Sequence, residues 1–223
     1  MRDVTHAQLV DFLRAIHARP GGTGAILNLA RGAKARGATD LSVLTDVVAD
    51  SSLRLEIARH GLDESRHAYW AVRRMMELGF APVRLPSEID RVDALFARSR
   101  ARNVHDVYQE RGWLGEIELM ELLTAVLIPE EDAVVKLAAN YEALGGDART
   151  QSLVGRMLRD DRRHVAYVRA RLRQYGERFS ARVVARTEER LRAVFAELSV
   201  TYYAALDGYL AHVANAENTV QEV

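Results

Sequence analysis

A five-residue pattern that occurs twice is the strongest constraint on what this chain can fold into. Asp63-Glu64-Ser65-Arg66-His67 runs on to Leu78-Gly79, and Asp160-Asp161-Arg162-Arg163-His164 runs on to Tyr175-Gly176. Each reads acid, acid, x, Arg, His, followed by one more helical stretch and a glycine. A carboxylate and a histidine three residues apart lie one turn apart on the same helical face. On a helical wheel, Glu64 shares its face with Leu53, Ile57, Ala68, Ala71 and Met75. Asp161 shares its face with Val154, Leu158, Val165, Val168 and Leu172. Both acids therefore sit on stripes that must face a core. A lone buried carboxylate costs several kcal/mol, so each needs a partner. A cation reached by both acid–histidine pairs would be such a partner.

The surrounding chain reads as helix throughout, because Ala, Leu, Arg and Glu dominate and no stretch sustains a period-2 alternation. Helix is expected over about 5–37, interrupted at Pro20-Gly21-Gly22, with a short segment at 41–49 and an N-cap at Ser51-Ser52. A second helix runs to Leu78, and 80–103, holding Pro82 and Pro86, reads as a long crossover. Further helices span about 104–144 with a kink or break at Pro129, 149–175 closed by Gly176, and 180–212. The tail after Ala214 is polar and reads as frayed. The last helix carries an apolar stripe from Val184 through Leu191, Phe195, Leu198, Tyr202 and Leu206 to Leu210, and no ligand candidate on it. Short turn, long crossover, short turn is the connectivity of a four-helix bundle with one crossover. The two acidic motifs lie in corresponding helices, and Pro20 and Pro129 occupy similar places in the helices before them. This points to an ancient duplication of a helix pair.

Composition narrows the function classes. The 223 residues are 48% apolar, enough for one core, so 1–223 reads as a single domain. Formal net charge is zero and gives no bulk field for nucleic acid or a membrane surface. There is no cysteine, which excludes disulfide and thiolate-metal chemistry. No signal-peptide pattern and no membrane-length apolar run is visible, so a cytoplasmic setting is the expectation.

Glu64-Ser65-Arg66-His67 and Asp161-Arg162-Arg163-His164 resemble the paired Glu-x-x-His motifs of the ferritin-like di-iron carboxylate superfamily. Asp63-Glu64-Ser65-Arg66-His67-Ala68 looks like the runs of its oxygenase and desaturase branches. The resemblance covers about 5–176 and implies an all-α, ferritin-like four-helix bundle with a long crossover and an additional C-terminal helix. It implies Glu64, His67, Asp161 and His164 as metal ligands, joined by one carboxylate from the first helix and one from the third. Asp161 lies about 14 residues after the Gly145-Gly146 turn, which places an antiparallel partner near 131. Glu130 and Glu131 are both there, with Glu131 preferred. Glu118 and Glu121 rank second. The first helix departs from the pattern: the equivalent position falls at Gly21-Gly22-Thr23, where no carboxylate lies nearby, and Asn28 points away from the apolar stripe. Glu118, Glu121, His60 or water would fill the gap, or the site holds one metal in place of two, or none. His60 itself reads first as a satisfied buried histidine, Glu56 as the partner of an arginine, and Arg66 and Arg163 as partners of the acids or solvated. Trp70, Tyr108, Trp113, Tyr141 and Tyr167 read as packing residues.

Histidine and carboxylate donors on rigid helices suit iron or manganese better than magnesium or calcium. The resemblance implies a non-haem iron oxygenase or oxidase with one or two iron ions, manganese being the other candidate. It would act with dioxygen on a small or carrier-bound substrate, served by an electron-donor protein, with a homodimer as a candidate assembly. Leu53, Ile57, Met75, Val154, Met157 and Val165 would shape its pocket. Two other readings stand beside it: an iron-storage or peroxide-detoxifying protein, and a metal-free bundle with a binding role.

Overall fold

A computed structural model describes residues 5–89, 91, 94, 95, 98 and 112–220. Six α-helices account for most of them: α1 (His6–His17), α2 (Gly22–Val47), α3 (Ser51–Glu77), α4 (Glu116–Ala143), α5 (Ala148–Tyr175) and α6 (Ala181–Val220). A 3-10 turn at Ser87–Ile89 and a π turn at Gly176–Ser180 complete the order. No strand occurs among the described residues. None of the described helices is long and apolar enough to cross a membrane. Of the helix expected over about 104–144, residues 104–111, with Tyr108, lie outside the described residues, and 112–115 are not helical, so the helix begins at Glu116, after the left-handed Gly112.

Local chemistry sets the boundaries. Thr5 caps α1 in a reciprocal box with Gln8. Asp50, not Ser51 or Ser52, caps α3: its carboxylate accepts from the Leu53 N–H at 2.7 Å, and Ser52 only donates to that carboxylate. Asp147 does the same for α5 through the Thr150 N–H at 3.0 Å. Gly79, at φ +73°, closes α3 in the left-handed conformation that glycine tolerates best. Gly176 does not close α5 that way. Its φ is −61°, and the chain passes instead through the π turn. Arg169 of α5 comes within 3.7 Å of Glu188 of α6, so the chain reverses there.

Three expectations are corrected. The segment at 41–49 is not separate, because α2 runs unbroken from Gly22 to Val47. Helix α4 passes through Pro129 without a break. The end of the chain stays helical to Val220 instead of fraying after Ala214.

Helices α2 and α3 form one antiparallel hairpin, α4 and α5 a second, and α6 lies against α4. One apolar cluster gathers Leu27, Met75, Leu153, Met157 and Leu206, and another Leu44, Leu53, Ile57, Leu123 and Val168. The expected stripe of α6 is used as a core face, with Leu191, Phe195, Leu206 and Leu210 buried. Between the two clusters the four helices of the hairpins bury charge.

Candidate metal centre

The two caps put the hairpins in register with one another. Asp50 and Asp147 begin α3 and α5, and each motif lies the same distance along its helix. Glu64 is 3% exposed, His164 2%, and His67 and Asp161 are fully buried, as their apolar stripes predict. The repeated acids also do something that their sequence pattern hides. His67 Nε2 faces Asp160 Oδ2 at 3.1 Å, and His164 Nε2 faces Asp63 Oδ2 at 3.3 Å. The first acid of each motif thus receives the N–H of the other motif's histidine. Arg163 ties Asp63 to Asp160, and Arg66 also pairs with Asp63. Both acids are held below the usual carboxylate range, since these hydrogen bonds and guanidinium charges outweigh the burial that would raise them. An N–H donated outward to a carboxylate fixes the ring and turns its other nitrogen inward, the arrangement that orients metal-bound histidines; here the inner nitrogens lie within hydrogen-bond distance of Glu64 and Glu130.

Those inner nitrogens converge. His67 Nδ1 lies 3.2 Å from Glu64 Oε1 and 3.7 Å from Asp161 Oδ1. His164 Nδ1 lies 3.4 Å from Glu130 Oε2 and 3.7 Å from Asp161 Oδ1. His60 stacks on His164 with ring centroids 3.6 Å apart, receives or donates a 3.0 Å hydrogen bond at Tyr167, and points Nε2 at Glu130 from 3.5 Å. Two donor sets result, each with its ligand atoms within 4.8 Å of one another: His60, Glu64, Glu130 and His164, and Glu64, His67 and Asp161. Glu64 belongs to both. Its carboxylate is pressed against α2 where a side chain on Gly37 would come within 2.8 Å of Oε2, so that glycine makes room for it.

A residue absent from the sequence-based site enters from α2. Lys34 Nζ donates 2.8 Å hydrogen bonds to Glu64 Oε1 and to Asp161 Oδ2, and the side chain is almost fully buried. Burial alone would drive its pKa down, but the charges of Asp161, Glu130 and Glu64 hold it well above the ordinary lysine value. The same burial pushes Asp161 up to about 7, opposed by Lys34 and reinforced by Glu130 and Glu64. Glu130 goes the other way: despite burial, the charge of Lys34 and the facing imidazoles of His164 and His60 hold it well below the usual range. For His164, burial lowers the pKa, and the Glu130, Glu64 and Asp161 carboxylates together raise it by more.

The remaining candidates are placed elsewhere. Glu131 faces outward to Arg169 and Arg192. One residue turns the helix by about 100°, which is why Glu130 and not Glu131 looks inward. Glu121 pairs with Arg190 of α6, and Glu118 accepts from the Gly115 N–H at the start of α4. Glu56 pairs with Arg171 as expected, and Arg162 is exposed. Trp113, half-exposed, lies under Arg54, and Tyr141 is also exposed, so neither is a core residue. Asn28 is fully buried and bonds Val83 and Tyr209, away from the cluster. His60 joins the cluster as a member, not as a bystander.

The donors present fit a divalent cation. His60 Nε2 and Asp161 Oδ1 are buried and make no hydrogen bond, and both face the cluster. Buried polar atoms are ordinarily paired, so an orphan of each kind marks a missing partner. With Asp161 ionised, the inner carboxylates Glu64, Glu130 and Asp161 exceed the one ammonium of Lys34 by two charges.

A cavity of about 1080 Å³ lies beside the cluster, among α1, α2, α4, α6 and the 84–89 segment. That is at or above the usual size of a ligand site, about 300–1,000 Å³. Lys34, Met157 and Pro129 form its inner wall, while Phe12, Ile26, Phe195 and Tyr202 give it an apolar body. Of the residues expected to shape the pocket only Met157 lines it; Leu53, Ile57, Met75 and Val154 are core packing.

Compared with family models, curated proteins and solved structures, the chain matches none.

Proposed function

We propose that this chain is a ferritin-like carboxylate/histidine metalloprotein that oxidises an apolar small molecule with dioxygen, as a non-haem iron oxygenase or oxidase. The observation that carries the reading is the convergence of His60, Glu64, Glu130 and His164 on one point, with His60 Nε2 left without a hydrogen bond. Two imidazoles and two carboxylates on three rigid helices suit iron or manganese. A bound redox-active ion of that kind supplies the electrons and the binding site for dioxygen activation.

The chain's own residues do the rest. Asp63 and Asp160 hold the His164 and His67 rings in one orientation, Nδ1 inward. Tyr167 fixes the ring of His60 through Nδ1. The surrounding core keeps bulk water from the cluster. Lys34 links cavity and cluster: its stem lines the cavity and its ammonium holds Glu64 and Asp161. A substrate in the apolar body would stop against Lys34 and Met157. Arg31 and Arg84 on the same walls favour one with an anionic group at its end, while Arg91 and Lys136 are paired with Asp132 of the same wall.

Dioxygen uptake after anaerobic ferrous loading tests the reading. Uptake by the wild type and none by Glu130→Gln supports it; equal, background uptake by both removes it. A second reading, a metal-free bundle, draws on Lys34, which already supplies a cation to two of the inner carboxylates.

A further inference from the structure

We propose that Lys34 stands in for one of two metal ions, so that the chain holds a single divalent cation, at the position formed by His60, Glu64, Glu130 and His164. The inference rests on the metalloprotein reading above and adds where the metal sits and how many there are.

The internal repeat carries it. The hairpin α2–α3 and the hairpin α4–α5 place Glu64 and Asp161 in corresponding positions, and likewise His67 and His164, each pair 97 residues apart. Two residues, Val48 and Ala49, precede the cap Asp50, whereas three, Leu144, Gly145 and Gly146, precede Asp147. Allowing for that one extra residue, Lys34 of α2 corresponds to Glu130 of α4. By the same register His60 of α3 corresponds to Met157 of α5. The cluster is therefore symmetric in two pairs of positions and broken in two.

The break falls entirely on one side. One donor set contains Glu130 and His60 along with His164 and Glu64. Its mate would contain Lys34 and Met157 along with His67 and Asp161. A thioether is a poor donor for a hard divalent ion, and an ammonium is none at all. Lys34 Nζ instead sits 2.8 Å from both Glu64 and Asp161, where it satisfies the charge that a second ion would otherwise meet. Of the two unpaired atoms, His60 Nε2 belongs to the intact set alone, and Asp161 Oδ1 lies between the sets, 3.7 Å from His67 Nδ1 and from His164 Nδ1.

The test is anaerobic equilibrium dialysis of the full chain against cobalt(II), with bound metal measured by elemental analysis. Wild type should bind one ion per chain, and Lys34→Glu two. His60→Ala should lose the ion, while His67→Ala keeps one. Two ions on wild type would overturn the inference and leave the metalloprotein reading standing. Retention in His60→Ala with loss in His67→Ala would also overturn it, by placing the ion on the lysine side. No ion on wild type would overturn the metalloprotein reading and this inference with it. If Lys34→Glu does not fold, the wild-type count and the two histidine variants still decide.

Discussion

Replacing Lys34 with methionine keeps the length of the side chain and removes its charge. In the metal-free protein this leaves Glu64 and Asp161, both almost fully buried, facing each other without the ammonium that now bonds each at 2.8 Å. Removing one partner of a buried ion pair costs about 3–5 kcal/mol, because the remaining charge stays desolvated. The loss should fall toward the lower end, since Asp161, already shifted to about 7, can take up a proton. A chain of this size moves its Tm by about 2–4 °C per kcal/mol, so a drop of roughly 6–20 °C is expected. Thermal unfolding followed at 222 nm in excess chelator at pH 8 measures it. Adding Asp161→Asn to Lys34→Met should recover a large part of the loss, because the uncompensated charge is gone. Lys34→Met alone melting within a degree or two of wild type would refute the idea that the ammonium neutralises this cluster.

Three further outcomes follow from the same geometry. Glu130→Gln should abolish tight metal uptake while Glu131→Gln leaves it unchanged, as read by elemental analysis, because only Glu130 faces the cluster. In chelator, stability should decline as pH rises from about 5 through about 7. Asp161 and His164 both have folded-state pKa values raised above their ordinary ones, so the stability they contribute is present at low pH and lost as each gives up its proton among Glu64, Glu130 and Lys34; a Tm that climbs steadily over that range would contradict this. Asp147→Ala should cost about 1–2 kcal/mol in urea unfolding, for the lost helix cap. It should also flatten the acid limb, since Asp147, held near about 2 by Thr150 and Arg74, contributes stability that is present above the ordinary carboxylate pKa and lost as pH falls.

Much of this was legible in the sequence because it followed from helical periodicity. The spacing within each acidic motif, and the apolar residues around it, placed Glu64, His67, Asp161 and His164 in the interior. Counting back from Gly145-Gly146 reached Glu130 and Glu131, and only the 100° between neighbouring residues separated them. Lys34 was missed for a reason of register. With the first helix ended near 37, the position opposite Glu64 fell on Gly21-Gly22-Thr23. With α2 carried to Val47 and the turn placed just before Asp50, the same count falls next to Lys34. A lysine between two buried acids also has no signature in a pattern of carboxylate ligands. The apparent match of Pro20 with Pro129 misled in the same way: Pro20 lies between α1 and α2, and Pro129 lies inside α4. The crosswise bonds of Asp63 to His164 and Asp160 to His67 depend on how the hairpins face each other, which no single helix pattern contains.

Elemental analysis of the purified chain, as isolated and after anaerobic ferrous loading and desalting, tests the central claim most directly, beside a His60→Ala/His164→Ala variant whose helicity is checked by circular dichroism. Iron or manganese is expected on the wild type and none on the folded variant. A wild type that carries no metal under either condition would contradict that claim, and would leave Lys34 as the cation shared by Glu64 and Asp161.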